Sequence, residues 1–243
     1  MTFLVDAPDG RTRIKLCGMT RDEDVDAAVA LGVDAVGFVF WGPSPRALSI
    51  ASAARLVARV PPTIDAVGLF VDASRAEVDA VLDAVPLTLL QFHGDETPAD
   101  TRGFRVPSMK VARVTPALDL LAFAALHADA AALFLDAHTA AYGGAGKVFD
   151  WSLIPPLLVD TVRRFAAPDA ESARQAAPNA ARGAPRVVLS GGLSARNVAD
   201  AIERVRPYAV DTSSGIEVAK GIKDAGRMRD FVAAVRQADP PSS

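Results

Sequence analysis

The sequence lacks several features that would place the chain in a specialised class of protein. It has one cysteine and three histidines in 243 residues, so there is no intrachain disulfide and no zinc-ligand spacing. It has no block of basic residues, and its net charge of −3 argues against nucleic acid as a partner. The longest apolar tract, residues 118–137, contains three aspartates and a histidine and so falls short of an uninterrupted membrane span.

The start of the chain has no cationic stretch followed by an apolar one, so a secretory signal is not predicted. The single thiol suits a reducing cytoplasm. Half of the residues are hydrophobic, which is enough for a large buried core and excludes global disorder. We therefore predict a soluble cytoplasmic protein with no nucleic-acid or membrane partner, whose first dozen residues form a frayed end.

Eight short apolar runs recur along the chain, each rich in Val, Ile, Leu or Phe. They lie at residues 13–17, 34–40, 64–71, 88–92, 108–111, 131–135, 186–189 and 208–210. Near-continuous apolar runs are typical of parallel strands that are covered on both faces. These runs therefore predict eight parallel strands.

Helical periodicity and helix-start signals separate the runs. The residues predicted to start helices are Thr20 with Glu23, Ser74 with Glu77, Thr115, Ser194 and Asp224. Strand and helix in alternation, repeated eight times, predict the α/β class and a single-domain (β/α)8 TIM barrel over residues 1–243. A doubly wound sheet is the competing architecture, but Cys17-Gly18-Met19-Thr20 is not its glycine-rich nucleotide-binding turn.

One segment departs from this alternation. Residues 166–185 are rich in Ala, Pro, Arg and Ser and have no apolar face. We interpret them as a mobile surface insertion before the seventh strand, because a longer surface loop adds little closure entropy. Its position predicts that it lies on the barrel floor, away from the chemistry.

Active sites of such barrels lie at the carboxyl ends of the strands. Here the last two strand ends carry small residues whose backbone N–H groups can converge on an anion. They predict a phosphate site formed by Gly191, Gly192, Ser213, Ser214 and Gly215. Two plain Gly/Ser turns are the alternative.

Asp136 ends an apolar segment, where an unpaired carboxylate is unfavourable. It is either a general acid or a structural carboxylate that caps a helix or pairs with Arg113 or Lys147. Cys17, at the end of the first strand, is either a general base or a buried hydrophobic residue.

A general-base role for Cys17 would need a field that favours the thiolate. The N-terminus of the helix after Thr20, together with Lys15 or Lys110, could provide it.

Three further residues are candidates for substrate binding. Arg46 follows a Ser-Pro turn and could hold a planar carboxylate through two parallel hydrogen bonds, or be a solvated loop residue. Gln91 and His93, around the end of the fourth strand, could orient substrate or only close the strand. The glycine-rich tract at 142–147 predicts a lid; it lacks the Ser or Thr that a nucleoside-triphosphate site needs after Lys147.

Together these motifs closely resemble the phosphoribosylanthranilate isomerase family of tryptophan biosynthesis. The matching segments, in order between residues 13 and 235, are KLCGMT (15–20), VGFVF (36–40), SPR (44–46), VGLFV (67–71), LQFHG (90–94), LDA (135–137), GGAGK (143–147), FDW (149–151), SGGL (190–193), NV (197–198) and DTSSGIE (211–217). Any one motif alone is weak, but their shared order is specific. Ala145 departs from the Thr or Ser that the family often carries.

The resemblance implies a (β/α)8 barrel that catalyses an Amadori rearrangement of a small-molecule substrate. N-(5-phosphoribosyl)anthranilate would become 1-(2-carboxyphenylamino)-1-deoxyribulose 5-phosphate, without cofactor or metal. We expect the chain to act as a monomer or homodimer. The family's base would be Cys17, its acid Asp136 and its arginine near the anthranilate Arg46.

Two alternatives remain. One is another phosphate-binding barrel enzyme of amino-acid biosynthesis: indole-glycerol-phosphate synthase is expected to use lysine and glutamate, and the histidine-pathway isomerase two aspartates. The pairing of Cys17 with Asp136 argues against both. The other alternative is a non-catalytic barrel that binds a phosphate ligand, and a turnover assay separates it from an enzyme.

Overall fold

Eight parallel strands form a closed barrel in sequential order, because β1 pairs with both β2 and β8. This computed structural model describes residues 3–5, 10–137, 148–156, 158 and 186–239. The barrel strands are β1 Arg13–Cys17, β2 Ala35–Val39, β3 Asp65–Phe70, β4 Leu89–Phe92, β5 Ser108–Val114, β6 Ala132–Ala137, β7 Arg186–Leu189 and β8 Ala209–Thr212. The predicted barrel is confirmed. The predicted lid at 142–147 and insertion at 166–185 lie outside the described residues.

Helices connect most of the strands. The α-helices within the described ranges are α1 Asp22–Ala30, α2 Ile50–Val57, α3 Arg75–Ala84, α4 Leu120–Leu126, α5 Val198–Val205 and α6 Ala225–Ala238. Two 3-10 helices, Trp151–Leu153 and Ser214–Ile216, and a hairpin of β9 Glu217–Ala219 and β10 Ile222–Lys223 complete the described elements. None of these α-helices has the length and apolarity that crossing a membrane requires.

The prediction of a helix after every strand is wrong between β4 and β5. Residues 93–107 are described throughout and form turns without an α-helix. Pro98 and Pro107 lack the N–H that a helix interior needs, and Gly94 and Gly103 favour other backbone conformations. The link instead folds around side-chain contacts such as the Thr97 N–H to Asp100 Oδ2 hydrogen bond of 2.8 Å.

Some helix starts agree with the sequence signals. Ser74 and Glu77 form the predicted capping box at α3. Asp224 caps α6 by accepting a hydrogen bond from the Arg227 N–H at 2.8 Å. Ser194 begins a turn that leads into α5, but the helix itself starts at Val198.

Two other predicted starts are wrong because distant or later residues compete for the same role. The Thr20 hydroxyl donates to the carbonyl of Gly221, about 200 residues away in sequence, and does not cap α1. The α4 helix starts after Asp119 rather than Thr115, since the Asp119 carboxylate accepts from two helix N–H groups.

Strand side chains alternate between the barrel interior and the layer beneath the helices. The interior contains Val67, Met109 and Phe134 together with Phe3, which is fully buried. The Phe3 N–H donates to Asp65 at the start of β3, at 2.7 Å, so this side chain fills the barrel floor. The prediction that the first dozen residues are a frayed end is therefore wrong at Phe3.

Candidate active site

A cavity of about 710 Å³ opens at the carboxyl ends of the barrel strands. The predicted site residues that line it are Cys17, Arg46, Gln91, His93, Asp136, Gly191, Gly192, Ser213 and Ser214. Gly215 lies behind them, where a β-carbon built on it would be 2.0 Å from the Leu193 carbonyl oxygen. Gly215 therefore supports the close contact between the loops after β7 and β8.

Strand alternation explains how side chains distant in sequence reach one cavity. Asp136 follows Phe134 by two residues, and the Phe134 ring lies in the barrel interior. Cys17 likewise follows Lys15 on the inward face of β1. Residues two apart on a strand share a face, so both Cys17 and Asp136 point into the space above the core.

Lys15 lies beneath Cys17 and is fully buried. Its Nζ donates to Asp211 Oδ1 at 2.8 Å, and Asp211 Oδ2 accepts from the Ser190 hydroxyl at 3.0 Å. Burial alone would lower the pKa of Lys15, but the neighbouring Asp211 and Cys17 raise it above its ordinary value. Lys15 is therefore an ammonium that lies below the cavity. Lys15 and Lys110 were both predicted to lie near Cys17, and Lys15 is the one that does.

Lys110 does not have the predicted role beside Cys17. Its Nζ donates to Glu96 Oε2 and to the Gly94 carbonyl, each at 2.7 Å, in the layer outside the barrel. Glu96 Oε1 in turn accepts from the N–H groups of Asp72 at 2.9 Å and Gly94 at 3.1 Å. This buried network shapes the loop that carries His93.

Asp136 is held from two sides. Its Oδ1 accepts the Ala137 N–H at 2.8 Å, and His93 Nε2 lies 3.0 Å from Oδ2. The His93 ring is not aligned for a hydrogen bond to this oxygen, and neither ring nitrogen has a hydrogen-bond partner among the described residues. The Gln91 Oε1 is similarly buried and unpaired within the described part of the chain.

Gly191 allows the loop after β7 to approach this carboxyl. A β-carbon built on it would lie 2.7 Å from Asp136 Oδ1 and 2.6 Å from the Ala137 nitrogen. If Asp136 were only a structural carboxylate, it was expected to pair with Arg113 or Lys147. Arg113 forms an ion pair with Asp95, and Lys147 lies outside the described residues.

Arg46 does not present its full fork to the cavity. Its Nε and Nη2 donate to the two carboxylate oxygens of Glu217, each at 2.7 Å. Burial alone would lower the pKa of Arg46, whereas Glu217 raises it. Glu217 thus takes the edge of the guanidinium that was expected to hold a ligand carboxylate, and Nη1 is the nitrogen it leaves unengaged.

Lys223 completes this ionic cluster. Its Nζ lies 2.8 Å from Glu217 Oε1 and 3.1 Å from the carbonyl oxygen of Ser213. Burial alone would raise the pKa of Glu217, but hydrogen bonds from Arg46 and Lys223 lower it. Glu217 and Lys223 were not predicted as site residues, because no local spacing links the β9–β10 hairpin to Arg46.

The loops predicted to bind phosphate form one wall of the cavity. Gly191 and Gly192 have φ angles of +84° and +67°, in the left-handed region that glycine adopts readily. The Thr212 hydroxyl donates to the Leu193 carbonyl at 2.6 Å and joins this turn to the loop after β8. Neighbouring backbone N–H groups in such turns can form an anion-binding concavity.

A family model described as N-(5'phosphoribosyl)anthranilate (PRA) isomerase matches residues 14–234. The chain belongs to this family. Membership confirms the resemblance that the ordered motifs indicated, and it favours the PRA isomerase interpretation over the other barrel enzymes of amino-acid biosynthesis.

Named PRA isomerases are similar to the chain over almost its whole length. The N-(5'-phosphoribosyl)anthranilate isomerase of Ralstonia nicotianae is 56% identical over 236 residues, which cover 96% of each chain. The solved structure of phosphoribosyl anthranilate isomerase from Thermotoga maritima is 35% identical with a TM-score of 0.76, covering 93% of this chain and 99% of that one.

A PRA isomerase structure in complex with reduced 1-(o-carboxyphenylamino)-1-deoxyribulose 5-phosphate is also similar. It is 32% identical with a TM-score of 0.73, and the match covers 93% of this chain and 99% of that one.

Proposed function

We propose that this member of the PRA isomerase family converts N-(5-phosphoribosyl)anthranilate to 1-(2-carboxyphenylamino)-1-deoxyribulose 5-phosphate, with Asp136 as general acid and Cys17 as general base. The observation that carries the assignment is that these two side chains line one cavity from β6 and β1. An acid and a base on separate strands can act on different atoms of one sugar. The reaction itself is inferred from membership of the PRA isomerase family.

Asp136 would act in the opening of the ribose ring. The protonated carboxyl donates its proton to the ring oxygen as the C1′–O bond breaks, and the amine nitrogen lone pair forms a C1′=N iminium. The Ala137 N–H hydrogen bond holds the carboxyl in place, and the His93 Nε2 lies 3.0 Å from its other oxygen. Gly191 provides the space that this position requires.

Cys17 would act in the second step. The iminium acidifies the C2′ proton, which the thiolate removes, and the C2′–H electron pair forms a C1′=C2′ bond while the iminium bond becomes an amine. The resulting enolamine tautomerises to the C2′ ketone. The buried Lys15 lies below the sulfur, with its Nζ donating to Asp211 Oδ1 at 2.8 Å.

Groups that do not react would anchor the two ends of the substrate. We assign the phosphate to Gly191, Gly192, Ser213 and Ser214, with Gly215 packing the loops together. We assign the anthranilate ring of the substrate to the apolar side chains of Val39, Leu69 and Trp41, which line the cavity near Cys17. We assign Arg46 Nη1, Gln91 and His93, which also line the cavity, to the anthranilate carboxylate and the sugar hydroxyls.

A fluorescence assay with freshly prepared phosphoribosylanthranilate tests this function. The purified chain is expected to consume the fluorescent substrate, with rates proportional to enzyme concentration, and mass spectrometry should identify the ketose product of unchanged mass. Substrate that decays only at the rate of the enzyme-free control, while a phosphate ligand still binds, would instead support the non-catalytic barrel.

We further propose that the enzyme acts in the cytoplasm as a monomer or homodimer. Its single cysteine fits a reducing compartment. Light scattering coupled to gel filtration measures the mass directly, and a mass above twice the 25.4 kDa of the chain would contradict this proposal.

A further inference from the structure

Cys17 lies in a buried cluster of charges that continues from the barrel interior to the β9–β10 hairpin. The buried charged side chains on its side of the cavity are Lys15 on β1, Asp211 on β8, Arg46 after β2, and Glu217 and Lys223 on the hairpin. From this arrangement we propose that Lys15 is a positioning residue that holds Cys17 as a thiolate, and that Asp211 limits the strength of this effect. The catalytic meaning of this inference rests on the proposed function.

The position of Lys15 is fixed by three neighbours. Its Nζ donates to Asp211 Oδ1 at 2.8 Å and lies 5.2 Å from the centre of the Phe134 ring below it. A β-carbon built on Gly37 would lie 3.2 Å from this Nζ and 2.6 Å from Cys17 Sγ, so the ammonium and the sulfur share the space the glycine leaves. A buried ammonium with one carboxylate partner and an aromatic ring beneath it has a donor to direct at the sulfur.

The charges of the cluster balance only when the thiol is ionised. Lys15, Arg46 and Lys223 are cationic, and Asp211 and Glu217 are anionic. With a neutral thiol, this buried set carries one uncompensated positive charge, which a thiolate would remove. Burying an uncompensated charge is unfavourable, so the surroundings favour ionisation.

Each of the three cations interacts electrostatically with the sulfur. Cys17 contributes to raising the pKa of Lys15 and of Arg46. Burial lowers the pKa of Lys223, and Cys17 and Glu217 partly oppose this effect. Strand β2 contributes Gly37 and Val39 beside the sulfur. The other titratable groups that line the cavity are Asp136 and His93, across from Cys17, and Lys220, which is exposed at the turn of the β9–β10 hairpin.

Alkylation by iodoacetamide measures the ionised sulfur directly, because Cys17 is the only cysteine in the chain. In the wild-type protein, half-maximal alkylation is expected below about pH 8.5, the value for a free thiol. Lys15→Met should slow alkylation at pH 7 by about tenfold or more and move the midpoint upward. Asp211→Asn should move the midpoint downward, because it removes the anion that offsets Lys15.

The opposite shifts of the alkylation midpoint expected for Lys15→Met and Asp211→Asn separate an electrostatic role of Lys15 from a structural one. A packing role would make both single variants slower. The double variant Lys15→Met with Asp211→Asn leaves no unpaired charge in the pair, and we expect it to fold and to keep the slow alkylation. Circular dichroism and thermal unfolding show whether each variant is folded. If Lys15→Met alone does not fold, the double variant and Asp211→Asn still distinguish an electrostatic role from a structural one.

The inference is overturned by a wild-type midpoint at or above that of a free thiol, by unchanged alkylation in a folded variant lacking Lys15, or by slowing in Asp211→Asn. Alkylation does not depend on turnover. A chain with an activated thiol but no isomerase activity would therefore refute the proposed function and leave the role of Lys15 intact. In an active enzyme, Lys15→Met should also move the acid limb of the kcat/KM pH profile upward.

Discussion

A methyl group at Gly191 should damage the site while leaving the barrel folded. The φ of this residue is +84°, and a β-carbon there would lie 2.6 Å from the Ala137 nitrogen and 2.7 Å from Asp136 Oδ1. Ordinary contacts of a β-carbon are 3.4 Å or longer, so Asp136 or the end of β6 must shift by about 0.7–0.8 Å. A displacement of about 1 Å at a catalytic group can lower the rate by about 10²-fold. We expect a loss of this size in kcat for Gly191→Ala.

Gly32, after α1, provides a matched control. It has a similar φ of +64°, but a β-carbon built on it would meet no atom within 4 Å. A left-handed conformation costs alanine about 1–2 kcal/mol, which corresponds to a decrease in Tm of roughly 2–8 °C in a chain of this size. Gly32→Ala should therefore lower the Tm by that amount and leave kcat unchanged.

Steady-state kinetics and thermal unfolding of the two variants give the comparison. The excess loss of activity in Gly191→Ala over Gly32→Ala measures the clash rather than the backbone strain. A Gly191→Ala enzyme with wild-type kcat would refute the inference that this glycine sets the position of the Asp136 carboxyl.

Two further predictions concern the buried ion pairs. Lys110→Met should destabilise the fold by about 3–5 kcal/mol, because it leaves Glu96 buried without its cation, and adding Glu96→Gln should recover part of this loss in urea unfolding. Equal losses in the single and double variants would contradict the pairing. Arg46 and Lys223 hold the pKa of Glu217 below its ordinary value of 4.5. The ionised Glu217 therefore stabilises the fold fully above that pH, and this stabilisation is lost as the pH falls through the lower pKa of Glu217 in the folded state. Glu217→Gln should thus be less stable than wild type at pH 7, with the difference narrowing towards pH 3; a difference independent of pH would refute this.

The barrel was predictable because its strands are covered on both faces and therefore appear as apolar runs. The inward direction of Lys15 also follows from its spacing of two residues from Cys17. Lys110 was misassigned because a strand end alone does not indicate which of its alternate residues face inward. Only the burial of Met109 and Val111 in the barrel interior places Lys110 outside.

The remaining differences arise from contacts between residues distant in sequence. The Thr20 hydroxyl bonds to Gly221 rather than to its own helix, and the Arg46 fork is taken by Glu217, 171 residues away in sequence. Local spacing cannot reveal such partners, since they meet only when the loops of different strands come together at the barrel mouth. The Ser74 hydroxyl, by contrast, bonds to Glu77 of its own helix, which is why that capping box was correctly predicted.

The assignment of Asp136 as the acid and Cys17 as the base is tested most directly by kcat measured alongside ligand affinity. We expect Cys17→Ala and Asp136→Ala each to lower kcat by about 10²–10⁴-fold. Binding of the reduced product analogue, measured by calorimetry, should remain within tenfold (~1.4 kcal/mol) of wild type, because its phosphate anchors lie on other loops. Asp79→Asn, an exposed carboxylate on α3, should keep wild-type values of both. Turnover near the wild-type rate in either alanine variant would contradict the proposed mechanism.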